Sequence, residues 1–139
     1  MLLYHFTDRG QWPQILGSGA IDATWRRWEA APPIVNLTED ADPQSLPWAL
    51  RERRIRIMVD VPDAESHAWV PWAEAHGIPS EERWSLLADS DPSRTNQPNQ
   101  WNGNPSAWFV VERPIPRAEW KEAIDLDTAA CLWPPRPTT

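Results

Sequence analysis

Residues Arg54 to Val61, RIRIMVDV, place Ile55, Ile57, Val59 and Val61 at every second position, with Arg54, Arg56, Met58 and Asp60 between them. Successive side chains of an extended chain point to opposite faces, so this period fits a strand with one face buried. A strand needs neighbours to satisfy its backbone groups, and three further stretches read as extended. They are Leu2–Phe6, Ile34–Thr38 and Ala107–Glu112. The apolar run from Ala107 to Val111 is the pattern of a central strand covered on both faces. Glu122–Leu126 reads as a last, edge strand, and Pro32-Pro33, Pro62 and Pro114 break the chain between elements. The expectation is one α+β domain over residues 1–127, with a split, mostly antiparallel sheet and two or three short helices. Thr128–Thr139, with three prolines, reads as a tail.

The opening stretch Leu2–Ile21, LLYHFTDRGQWPQILGSGAI, joins a strand to a helix. Thr7 and Asp8 are capping residue types, and Pro13 is tolerated only in a first helical turn. Trp12, Ile15 and Leu16 fall at i, i+3 and i+4, which predicts one buried face. Gly17 and Gly19 are expected to end the helix through left-handed conformations. His5 and Thr7 are thereby expected at the edge of a sheet, beside a helix N-terminus that favours anions such as phosphate.

Tyr4-His5-Phe6-Thr7, followed by Ile15-Leu16-x-Ser18-Gly19-x-Ile21, resembles the opening of small ADP-ribosyltransferase-fold proteins. These include DarT-like enzymes and related small bacterial and phage proteins; RNA 2′-phosphotransferases of the same fold open similarly. The resemblance covers about the first forty residues. It implies an enzyme that uses NAD as substrate and transfers ADP-ribose to a protein or a single-stranded nucleic acid, releasing nicotinamide. By the same resemblance His5 orients the nicotinamide ribose, and Thr7, Arg9 and Thr38 help to hold the nucleotide. Thr38 is then a support for the His5 side chain. The flat nicotinamide wall falls to a tryptophan, Trp48 or Trp101. Glu112 is the candidate carboxylate for the oxocarbenium-like transition state. No Gln-x-Glu or Glu-x-Glu motif accompanies it.

Each of these residues also has a plainer reading. A strand His is often structural, and Glu112 could pair with Arg113 or Arg56. Arg54 and Arg56, with Arg51 and Arg53, form a basic cluster that is either a solvated face or, beside a phosphate pocket, a binding wall. Arg26-Arg27, between Trp25 and Trp28, and the polar stretch from Asp89 to Ser106 are similarly open. A net charge of −7 argues against sequence-independent binding to a phosphate backbone. It leaves room for a non-catalytic reading, in which an inhibitor or adaptor of phage or mobile-element type keeps the nucleotide-binding scaffold. The single Cys131 excludes an internal disulfide and a cysteine zinc site. His5, His67 and His76 show no ligand spacing, so no metal is expected. No apolar run is long enough to span a membrane, and no basic leader opens the chain, so a cytoplasmic protein is expected. Eleven tryptophans read chiefly as core filling in a chain poor in other aromatics.

Overall fold

A computed structural model describes residues 1–23, 31–43, 52–78 and 105–135. The described chain is α+β, a mostly antiparallel sheet with two short helices. Its strands in chain order are β1 (Leu2–Thr7), β2 (Ala20–Ile21), β3 (Val35–Thr38), β4 (Ile55–Asp60), β5 (His67–Ala68), β6 (Trp108–Val111), β7 (Ile115–Pro116), β8 (Trp120–Asp125) and β9 (Cys131–Trp133). Helix α1 spans Trp12–Ser18 and α2 spans Trp69–Ala75. Seven strands form one sheet in the order β5-β6-β3-β1-β4-β8-β9, and β2 pairs with β7 in a separate two-stranded ribbon.

The alternation around Arg54–Val61 becomes β4, with Ile55, Ile57 and Val59 buried and Arg56 and Met58 half-buried on the other side. Along its whole length β4 pairs with β1, from Leu2↔Asp60 to Thr7↔Ile55. Paired residues share a face, so Leu3, His5 and Thr7 lie with Ile55, Ile57 and Val59. Leu37, Phe109, Val111, Trp120 and Ala123 complete that face, and Trp12, Ile21 and Ile115 cover it. The opposite face carries Phe6, Trp108 and Val110, packed under Trp69, Trp72 and Ala73 of α2. Each fully buried Leu or Ile on these faces contributes about 1.5–3 kcal/mol relative to exposure.

Several elements differ from expectation for local reasons. Strand β1 is internal, between β3 and β4, rather than at an edge. Strand β6 is buried on both faces as its run predicts, yet it lies next to the edge strand β5. Strand β8 is not the edge either, because residues 131–133, expected within the tail, add β9 beside it. Trp133 meets Trp120 edge-on at 5.4 Å between ring centroids, and this contact accounts for a strand in a proline-rich segment. Gly17 sits inside α1, and Gly19 alone ends it, at φ +76°. Leu16 is exposed while Trp12 is buried and Ile15 half-buried, so the core lies on the Ile15 side of this short helix. Arg117 donates to the Leu16 carbonyl at the helix end, where a cation complements the unpaired carbonyls.

Trp48, Trp101, the Arg26–Arg27 pair, the helix expected over residues 80–89 and most of the polar stretch 89–106 lie outside the described residues. No described helix is long and apolar enough to cross a membrane.

Candidate functional site

The sheet changes character beside β1. Against β4 the strand is paired at six positions, but against β3 it is paired only at Tyr4↔Thr38. Beyond that position β1 and β3 diverge, and a cavity of about 850 Å³ opens where β1 ends and β3 begins. Its lining comes from both faces. His5, Thr7, Ile15 and Ile21 contribute from one, and Ile34, Trp69 and Trp108 from the other, while Gln11, Gln14, Ser18, Asp22 and Arg53 surround the exposed side.

His5 is half-buried within this opening, and its Nδ1 stands 2.9 Å from the Asn36 carbonyl oxygen. A carbonyl only accepts, so Nδ1 carries the proton and the neutral ring keeps its lone pair on Nε2. Burial pushes the imidazole pKa down to about 4; the Asn36 bond opposes this shift, and the nearby Arg53 charge adds to it. The ring is therefore uncharged at neutral pH. A fixed, neutral acceptor of this kind suits a sugar hydroxyl.

The other residues singled out in the sequence divide into those that share this cavity and those that do not. Thr7 lines it and is buried. Thr38 is on the Tyr4 side of the sheet, where its Oγ1 accepts from the Asp40 amide at 3.1 Å; the support for His5 comes from Asn36 instead. Arg9 bonds Asp125 at 2.8 and 3.0 Å and also Asp127. Arg54 bonds Asp127 at 2.9 Å. Arg56 donates to the Ala41 carbonyl at 2.9 Å and lies 5.4 Å from the centre of the Tyr4 ring. Among the described members of the basic cluster only Arg53 lines the cavity. The arginines that the sequence groups together are thus dispersed, because alternate positions along a strand face opposite ways and Arg54 is held by Asp127 of the β8–β9 turn.

Glu112 does not line the cavity. It follows Trp108 and Val110 on the α2 face, opposite His5, and its Oε1 accepts from Trp72 Nε1 at 2.7 Å. His76 Nε2 stands 4.0 Å from the same oxygen. The His76 ring lies 4.3 Å from that of Trp72, and its Nδ1 donates to the Trp72 carbonyl at 2.8 Å. This arrangement fastens α2 to the end of β6. Neither Arg113 nor Arg56 is Glu112's partner among the described contacts; Arg113 bonds Glu119 and Glu65.

The start of α1 is also different from a bare anion site. Asp8 Oδ1 accepts from the Gln11 amide at 2.8 Å, and the Asp8 carbonyl accepts from the Gln11 and Trp12 amides. The carboxylate and the backbone carbonyl of Asp8 thus already take up the amides that a phosphate would meet. The polar rim of Gln11, Gln14 and Ser18 escaped the sequence reading, although spacing of i, i+3 and i+7 puts all three on one helical stripe. Asp22 and the Asn36 carbonyl carry no comparable sequence signal. Among the described residues, no group of three or more His, Cys, Asp or Glu is placed to hold a metal ion.

Comparison with family models, with characterised proteins and with solved structures finds no match to this chain.

Proposed function

We propose that the chain is a nucleotide-binding protein on an ADP-ribosyltransferase-like scaffold, with NAD as its ligand and His5 as the residue that orients a ribose. The observation that carries this reading is the neutral His5 imidazole, fixed through Asn36 and lining a cavity beside the β1–β3 divergence. Thr7 shares the cavity, and Trp69 and Trp108 offer apolar surface for a flat ring. The resemblance of Tyr4-His5-Phe6-Thr7 to the family opening selects NAD among ribose-bearing ligands. Transfer of ADP-ribose to a protein or single-stranded nucleic acid would need a carboxylate near the glycosidic bond. Glu112, on the other face and bonded to the Trp72 indole, does not fill that role. Binding without Glu112-dependent cleavage is the better reading.

Calorimetric titration with NAD, run in parallel with an assay for nicotinamide release, tests it. NAD is expected to bind, and His5→Ala to weaken binding about tenfold, the equivalent of one good hydrogen bond. Glu112→Gln is expected to leave NAD affinity unchanged. Absence of NAD binding by the folded protein would overturn the reading, and so would nicotinamide release abolished by Glu112→Gln.

A further inference from the structure

Among the described residues, the charge lining the cavity is at odds with a phosphate site. We infer that the cavity accepts the nucleoside end of a ligand, with an uncharged or cationic base, and discriminates against phosphate. This rests on the ribose reading given above and adds to it the class of ligand that the cavity selects.

Four observations support the inference. The first concerns cations. Arg9 and Arg54 are held by Asp125 and Asp127, and Arg56 is held by a backbone carbonyl on the other side of the sheet. Arg53 is the one described arginine on the cavity, and two carboxylates, Asp8 and Asp22, share the lining with it. The second is the start of α1, whose Gln11 amide is already bonded to Asp8 Oδ1. The third is that His5, which as a cation would attract phosphate, is neutral, because burial opposes its protonation. The fourth is what remains: side-chain amides of Gln11 and Gln14, and buried indoles of Trp69 and Trp108. Uncharged hydrogen-bonding groups over an apolar floor match a base and a sugar, whose polar atoms are neutral donors and acceptors. Carboxylates can accept hydrogen bonds from ribose hydroxyls, but they repel phosphoryl oxygens. For a dinucleotide such as NAD, one nucleoside enters and the pyrophosphate stays at the mouth, where Arg53 is exposed.

The test compares adenosine and nicotinamide riboside with their 5′-monophosphates, with inorganic phosphate and with NAD, by calorimetry at one ionic strength. Wild type and Asp22→Asn are used; Asp22 is exposed, and thermal unfolding checks that the variant is folded. Each nucleoside is expected to bind about tenfold more tightly than its monophosphate, with the gap narrowed in Asp22→Asn. Tighter binding of the monophosphates or of inorganic phosphate would overturn this inference while leaving the ribose reading intact. A gap unchanged in Asp22→Asn would overturn the charge argument as well. Failure of every nucleoside, nucleotide and NAD to bind would overturn both readings.

Discussion

His5 is an imidazole whose surroundings settle both its charge and its tautomer. In the unfolded chain such a group takes up a proton near its ordinary value of 6.5, whereas in the fold it does so at about 4. Between those values the unfolded chain binds more protons, so stability falls as pH falls. The contribution is fully present above about pH 6.5 and lost by about pH 4, and amounts to roughly 3 kcal/mol at most. Chemical denaturation from pH 7.5 to 4 is expected to show this loss in the wild type and not in His5→Gln. An equal slope in both proteins would mean that His5 is not the titrating group. The same residue scale explains why Glu112 could not be sided from the sequence. A strand such as β1 alternates between its neighbours' faces, but Trp108-Phe109-Val110-Val111 is apolar throughout. A run with no period gives no indication of which face its next residue will take. Only α2, with the Trp72 indole donating to Glu112, shows that it is the face away from His5.

At the scale of elements, the end of β1 is joined to the β8–β9 turn by charge. Arg9 forks onto Asp125 and reaches Asp127, and Arg54 meets Asp127 from the start of β4. Hydrogen bonding to Arg9 holds the Asp125 carboxyl down at about 2, below its ordinary 3.8; the Asp127 and Thr128 amides add to that effect. The stabilisation is present above about pH 3.8 and lost as pH falls to about 2, since the unfolded carboxyl protonates first. Asp125→Asn keeps an acceptor for the turn and removes the charge. Followed by circular dichroism, the variant is expected to be less stable at pH 6 and to lose less between pH 4 and 2. The difference should shrink in high salt, because these groups are solvent-screened. Identical acid transitions would show that the network contributes nothing measurable.

Elements with a strong period were legible from the sequence, and those defined by a partner were not. The alternation of β4 and the apolar run of β6 gave their positions and burial directly. Strand β9 was hidden because three residues ahead of two prolines have no pattern of their own; their place depends on Trp120, which precedes them by more than ten residues in the chain. The helix after β1 was readable in outline from Pro13 and Gly19, while the exposure of Leu16 followed from where the core happened to lie. The cavity combined the two cases. His5 and Thr7 could be read from a single strand, but Asn36, Asp22 and Arg53 join them only through the sheet order.

On the scale of the whole molecule, net charge and local charge point the same way. An excess of acidic residues gives −7 overall, and the described cavity carries two carboxylates against one guanidinium. Approach of a polyanion is opposed both at long range and on contact. Two apolar clusters, one on each side of the sheet, bind the described elements together.

The single paired position between β1 and β3 has a mechanical consequence. In terms of its backbone ladder, the sheet is two leaves, β5-β6-β3 and β1-β4-β8-β9, stitched at Tyr4↔Thr38 and by the His5–Asn36 bond. Side-chain packing spans the seam, but few hydrogen bonds must break for the leaves to part locally, far fewer than for separating β1 from β4. Hydrogen exchange is expected to record this as two tiers, with amides shared by β1 and β4 exchanging only through global unfolding and those at the seam through local opening. A ligand wedged between the leaves would then slow the second tier alone. Uniform exchange across both interfaces would show that the sheet opens as one piece and that the seam is no hinge.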